Sequence, residues 1–131
     1  MAAIKSYTDL QQSKKLAEIL PIESADMWLR EVSYGFYKLE TEIPRGWYDV
    51  PPKGMPCWSL AALLNILPNN KHITTSISKG SWQIDPIKYL PNTWWCEYED
   101  SESLTEFNIS ADNPIDACVS MILKLHKQNL L

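Results

Sequence analysis

Residues 56–68 read PCWSLAALLNILP, a run of almost entirely apolar letters with a proline at each end. Proline suits the first turn of a helix, where its missing N–H has no intrahelical partner, and it also ends a helix that reaches it. Ser59 and Asn65 are the polar residues of this run, and at about 100° per residue they fall on different faces. The run is too short to span a bilayer, so it predicts a central core helix that is buried nearly all round.

The chain has the size and composition of one soluble globular domain. It contains 131 residues, of which 45% are hydrophobic and 21% are charged, enough apolar surface to offset the entropy lost on folding. Its 12 basic and 16 acidic residues leave a net charge of −4, which offers no basic field to a phosphate backbone. We therefore expect a single domain over residues 1–131, with no general nucleic-acid binding and no membrane segment.

Two further helices and several strands are predicted from capping residues and periodicity. Thr8 and Gln11 fit a capping box that opens a first helix, which runs to about Leu20. Asn113 and Pro114 fit the N-cap and the first position of a last helix. Alternating or branched runs predict strands at 27–32, 34–39, 73–77, 94–99 and 107–109. The predicted fold class is α+β, with one antiparallel sheet of about four to five strands and three main helices, the central one largely buried and the terminal two packed on one face.

Residues 41–56 are predicted to form a long irregular loop. Prolines and glycines recur through this stretch at a density that no regular element tolerates. Trp47 and Tyr48 lie near its middle, and long loops inside compact domains are often functional. These two aromatic side chains either pin the loop onto the core or form part of a binding rim.

An aromatic and acidic face is predicted on the strand at 94–99. Successive side chains of a strand point to opposite faces, so Trp95, Glu97 and Glu99 share one of them. Trp82 is a further aromatic residue without an evident place in the core, in a stretch where Pro86 excludes a central strand. These residues either cover sheet edges beside a solvated acidic rim, or line a site for a protein, peptide or sugar. Trp95 beside two glutamates favours a flat, basic partner.

Patterns for catalysis or for binding a metal or cofactor are absent from the sequence. The cysteines Cys57, Cys96 and Cys118 are odd in number and widely spaced, which is typical of reduced thiols in the cytoplasm. A nucleophilic Cys57 would need His72 or His126 as its base, and its apolar neighbours favour an inert buried thiol instead. We therefore predict no catalytic residue, no metal and no cofactor.

Four blocks of the sequence resemble a known group of proteins. They are QSKKL at 12–16, SADM at 24–27, PCWSLAALL at 56–64 and NPIDACVSM at 113–121. In this order they are similar to blocks of a family of small uncharacterised proteins from gut anaerobic bacteria and their phages or integrated elements. The resemblance covers the chain from about Gln12 to its C-terminus. It implies a phage or mobile-element context and a cytoplasmic setting, and it carries over no activity and no functional residue.

These observations favour a non-enzymatic accessory or protein-interaction module that uses the aromatic and acidic face. Its partner would be a host or phage protein. Two alternatives stay open, a small hydrolase-like enzyme and a homo-oligomeric structural protein. The candidate binding residues are Trp47, Tyr48, Trp82, Trp95, Glu97 and Glu99.

Overall fold

A computed structural model of the chain describes residues 5–41 and 53–131. Within these ranges the chain forms three α-helices, six strands and one turn of 3₁₀-helix at Ile22–Ser24. The helices are α1 (Leu10–Ala17), α2 (Leu60–Ile66) and α3 (Pro114–Lys127). The strands are β1 (Met27–Ser33), β2 (Phe36–Glu40), β3 (Gly54–Cys57), β4 (Ile73–Gln83), β5 (Lys88–Asp100) and β6 (Thr105–Ala111).

The α+β class is confirmed, whereas the strands divide into two sheets and not one. One sheet has the order β2-β1-β3 and the other the order β4-β5-β6, and all neighbouring strands are antiparallel. The expected single sheet of four to five strands is therefore wrong. Alternation along a strand predicts its two faces but carries no information about which strand it pairs with.

Strand β3 lies, apart from Cys57, inside the stretch 41–56 that the sequence predicts to be irregular. It runs antiparallel to β1, with Pro56 opposite Trp28 and Gly54 opposite Arg30. Proline lacks the N–H that a central strand needs, but β3 is the edge of its sheet, where proline is tolerated. Thr41 and Lys53 of that predicted loop are also described. The rest of the loop, residues 42–52, lies outside the described residues.

Helix α2 is shorter and more exposed than residues 56–68 predict. Its N-cap is Ser59, whose Oγ accepts a hydrogen bond from the Ala62 N–H at 3.2 Å. The prediction of burial nearly all round is wrong, because Ala61 and Leu64 lie on an exposed stripe and Leu64 is 40% exposed. Since Pro56 and Cys57 belong to β3 and Ser59 is the N-cap, the helix keeps only about two turns.

Helix α1 begins one residue later than its predicted capping box. Asp9 is the N-cap and forms the box with Gln12, through Asp9 Oδ1 at 2.8 Å and Gln12 Oε1 at 3.1 Å. Thr8 is buried instead, where its Oγ1 shares a hydrogen bond with Ser13 and accepts one from the Trp58 N–H. Two adjacent residues can both cap a helix, and the tertiary contact of Thr8 decides between them.

The buried helix of the fold is α3. Its start at Asn113 is confirmed, since the Asn113 side chain accepts a hydrogen bond from the Asp116 N–H at 2.8 Å. It packs against β5, β6 and α2, and most of its apolar residues are buried. The core joins both sheets, because Trp28 of β1 and Tyr98 of β5 belong to the same cluster of buried side chains as Met121.

Candidate functional site

The sheet β4-β5-β6 has one face on the core and one exposed face, which we call the outer face. The register places residues in rows across the three strands, and residues of one row share a face. On the core side, Cys96 and Tyr98 of β5 are buried. The outer face consists of three rows, Ser78-Trp95-Ser110, Ser76-Glu97-Asn108 and Thr74-Glu99-Glu106.

Two rows of the outer face border a cavity of about 420 Å³, which we call the tryptophan cavity. Aromatic surface comes from Trp82 and Trp95, and among the described lining residues the one ionisable group is the Glu97 carboxyl. The remaining lining is small and polar. It consists of Ser78, Gly80, Ser81 and Asn108.

The β4–β5 hairpin extends beyond β6 and carries Trp82 outward. β6 pairs with β5 between Trp94 and Asp100, whereas the earlier part of β5 pairs with β4 alone. Trp82 lies opposite Tyr89 in this two-stranded part, and the two rings are 5.1 Å apart at an interplanar angle of 46°. Trp82 remains 68% exposed despite this contact, so its side chain lies on the surface and is not part of the core.

Gly80 allows the hairpin to bring these aromatic side chains together. Its φ is +91°, and a Cβ at this position would lie 2.2 Å from Oη of Tyr89. The register also shifts between Lys79 and Ser81, so the strand has an irregularity at the edge of the cavity. Such irregularities re-aim side chains, and glycine permits the close approach of a neighbouring group.

Negative charge dominates the outer face. Glu97, Glu99 and Glu106 are exposed members of neighbouring rows, and the face holds no lysine or arginine in these rows. Lys79 is on the opposite side of β4, with its Nζ 5.7 Å from the centre of the Trp94 ring. At the strand end, hydrogen bonds from the backbone N–H of Glu102 and from Ser103 hold the pKa of Asp100 below its ordinary value, against the effect of burial.

A second cavity of about 580 Å³ lies at the end of the same sheet. It is bordered by Glu99, Glu106 and His72, and His72 Nε2 is 3.1 Å from Glu102 Oε1 at an exposed site. The Ser101 hydroxyl donates a hydrogen bond to the backbone oxygen of His72 at 3.2 Å, and this bond stabilises the turn. These contacts describe a solvated, acidic strand end.

The structure brings together half of the residues predicted from the sequence to bind a partner. Trp82, Trp95 and Glu97 line the tryptophan cavity, while Glu99 lies one row further along the outer face and borders the second cavity. Trp47 and Tyr48 lie outside the described residues. The predicted division of β5 into two faces is confirmed by the burial of Cys96 and Tyr98 and by the exposure of Glu97 and Glu99.

Sequence reasoning missed Gly80, Tyr89 and Asn108. Asn108 could have been found, because it alternates with Phe107 and Ile109 on the strand predicted at 107–109, which pairs with β5. Tyr89 could not, since its position opposite Trp82 depends on the register of the distal hairpin. Glycine is typical of a turn, whereas Gly80 lies within β4.

The thiol of Cys57 has the environment of an inert core group. Cys57 is 0% exposed, and its Sγ donates to the Thr8 backbone oxygen at 3.3 Å. Burial raises its pKa, which favours the protonated and unreactive form. Among residues 5–41 and 53–131, no group of three or more His, Cys, Asp or Glu side chains is placed to hold a metal ion.

No family model, curated protein or solved structure matches this chain. In the part of the chain that the structure describes, no helix has both the length and the apolar composition needed to cross a bilayer.

Proposed function

We propose that this chain is a non-enzymatic interaction module that binds a basic partner protein on its outer face. The observation that carries the proposal is the tryptophan cavity, which combines Trp82, Trp95 and Glu97 at one exposed site. Exposed tryptophan beside carboxylates is the composition of a binding surface, where aromatic residues supply contact area and charge selects the partner.

The alternative that these aromatic residues only cover the sheet is less consistent with their exposure. A covering side chain loses most of its accessible surface to the residues below it, whereas Trp82 is 68% exposed. Trp82 also projects from a part of the hairpin where β4 is the one described strand that pairs with β5. An exposed tryptophan at such a site gains its full burial energy when a partner covers it.

The proposal includes a cytoplasmic setting in a bacterium, in which a phage or mobile element supplies the protein and the host or phage supplies the partner. Three buried cysteines without a disulfide, Cys57, Cys96 and Cys118, are consistent with a reducing compartment. The phage context rests on the resemblance of the four sequence blocks alone.

Affinity capture with matched charge variants tests this function. Tagged wild-type chain, Glu97→Lys/Glu99→Lys and the control Glu18→Lys/Glu23→Lys would each be incubated with nuclease-treated lysate and analysed by mass spectrometry. Glu18 and Glu23 are exposed, and they lie outside the sheet that carries the outer face. We expect one stoichiometric protein to be retained by the wild type and the control and lost by the outer-face variant. Equal retention by all three chains would refute the proposal.

Self-association is a second candidate, and it is favoured by apolar residues at the ends of two hairpins. The β4–β5 turn exposes Ile84 and Ile87, at 84% and 80%, and the β1–β2 hairpin exposes Tyr34 and Phe36. Clusters of exposed apolar residues often mark protein–protein contacts. Multi-angle light scattering of the wild type and of Ile84→Ser/Ile87→Ser decides this point: an oligomer that the variant abolishes supports it, and a monomeric wild type excludes it.

A further inference from the structure

We infer that the tryptophan cavity binds the guanidinium group of an arginine side chain. This inference rests on the proposed function, because it names the chemical group by which a basic partner would be anchored. Three properties of the cavity, as its described residues form it, support the inference: aromatic surface, one carboxylate, and no cationic side chain.

The aromatic walls suit a planar cation. Trp82 and Trp95 both line the cavity, and Trp95 Nε1 is buried without a hydrogen-bond partner among the described residues. The surface that Trp95 offers is therefore the carbon of its ring and not its N–H. A guanidinium group stacks on such ring faces, and tryptophan is the best aromatic partner for a cation.

The polar lining suits the edge of the same group. Glu97 supplies two acceptor oxygens in a geometry that matches the paired donors of a guanidinium. Glu97 forms no ion pair with a described residue, and Asn108, directly opposite on β6, donates its amide to Glu106 at 3.3 Å. The Glu97 carboxylate thus remains available for an incoming donor.

The charge around the cavity favours a cation over a neutral ligand. Glu99 and Glu106 stand in the next row of the outer face, and no lysine, arginine or histidine among the described residues lines the cavity. A neutral sugar would bind favourably to the aromatic surface but would gain no electrostatic attraction from these carboxylates. An arginine gains from both, and it is held more specifically than lysine because its donors are planar and fixed.

The test titrates the full chain with Nα-acetyl-arginine amide and follows the indole N–H signals by ¹⁵N–¹H NMR. Trp82→Phe and Trp95→Phe identify the two signals. We expect both to shift with a dissociation constant on the order of millimolar, as suits a single side chain. Nα-acetyl-citrulline amide, a neutral analogue of nearly the same shape, should shift them at least about tenfold more weakly, since it lacks the charge that gives the cation–π and ion-pair terms.

Matched variants separate the cavity from general electrostatics. Glu97→Gln should weaken arginine-amide binding about tenfold, whereas Glu106→Gln, on the same face but outside the cavity, should change it less than about twofold. Trp82→Ala should also weaken it about tenfold, and its exposed position means that the fold, checked by circular dichroism, is retained.

Three results would overturn the inference. They are equal binding of the citrulline and arginine amides, stronger binding of a neutral sugar such as glucose, and no shift of either indole signal by arginine amide. If any of these occurs while lysate capture still depends on Glu97 and Glu99, the proposed function stands and the arginine anchor fails. If arginine amide binds as expected but no protein is captured, the anchor stands and the protein-partner function fails.

Discussion

Tyr98 places a hydroxyl group in the core without giving it a hydrogen bond. Its side chain is 0% exposed, and its ring stacks on Phe107 with the ring centres 5.7 Å apart. Oη of Tyr98 is buried and has no hydrogen-bond partner among the described residues. A buried polar group in this state costs about 1–3 kcal/mol, so the stability of the sheet comes from the ring and not from the hydroxyl.

Tyr98→Phe should therefore stabilise the protein. The substitution keeps the ring and removes the unpaired hydroxyl, and we expect the free energy of unfolding to rise by about 1 kcal/mol. Urea denaturation followed by tryptophan fluorescence measures this change. The control is Tyr89→Phe, which removes a hydroxyl from a half-exposed ring and should alter stability by less than about 0.5 kcal/mol. A loss of stability in Tyr98→Phe would mean that the hydroxyl has a partner.

At the scale of the element, strand β3 depends on its glycine more than on its proline. Gly54 has a φ of +148°, and a Cβ there would lie 2.0 Å from the backbone oxygen of Leu29 on β1. The backbone cannot move away from this contact without breaking the β1–β3 pairing, which ends at Gly54 opposite Arg30. Gly54 is therefore the residue that allows an edge strand to form here.

Gly54→Ala should destabilise the protein more than the same change at Gly35. Both glycines have positive φ, so both substitutions cost about 1–3 kcal/mol in backbone strain. At Gly35 a Cβ would meet nothing within 4 Å, whereas at Gly54 it collides with backbone. We expect a loss of about 1 kcal/mol for Gly35→Ala and more than about 3 kcal/mol for Gly54→Ala, measured by thermal or urea denaturation. Equal losses would show that the contact with Leu29 is relieved without cost.

At the scale of the whole molecule, one polar network joins the starts of α1 and α3. Lys5 Nζ donates to Asp9 Oδ2 and to Asp116 Oδ1, both at 2.9 Å, and Gln12 Nε2 donates to Asp116 Oδ1 at 2.7 Å. Burial alone would raise the pKa of Asp116. Hydrogen bonds from Lys5, Gln12 and Asn113 nevertheless hold this pKa below its ordinary value. Burial alone would lower the pKa of Lys5. Its hydrogen bonds to Asp116 and Asp9 nevertheless raise this pKa above its ordinary value.

This network predicts a loss of stability in acid. A carboxyl whose pKa is lowered by folding stabilises the protein above its unfolded pKa, near 3.8 for Asp116, and the contribution is lost as the pH falls through the folded value. Lys5 behaves in the opposite way, since its contribution is complete below its ordinary pKa of 10.5 and is lost only above it. At neutral pH Asp116→Asn should cost about 1 kcal/mol, a modest value because the side chain is 39% exposed.

Thermal melts of the wild type and of Asp116→Asn, from about pH 7 down to about pH 2, test the predicted loss of stability in acid. The two proteins become alike at low pH, because protonated Asp116 and asparagine are both neutral. The difference between the wild type and Asp116→Asn should shrink as the pH falls below 3.8. Asp112→Asn, at an exposed position just before the N-cap, is the control and should follow the wild type at every pH. A constant difference between wild type and Asp116→Asn would exclude the charge as its cause.

Much of the fold could be predicted because local patterns are strong in several elements. The start of α3 is encoded in Asn113 and Pro114, and the two faces of β5 are encoded in alternation from Trp94 to Glu99. Two of the seven described residues that line the tryptophan cavity, Trp95 and Glu97, followed from this alternation, because it placed both on the exposed face. Residues on one strand need no knowledge of their neighbours to be assigned to a face.

By itself, the sequence determined the α+β class, the last helix and the exposed acidic face, because each depends on the periodicity or capping of one segment. The tertiary structure decided that 54–57 pairs with β1, that α2 is half exposed, and that Trp82 lies against Tyr89 and lines one cavity with Trp95 and Glu97. These features depend on strand register and on contacts between distant segments. An apolar helix or a tryptophan has the same local signal in a core and at a binding surface, and only packing distinguishes the two.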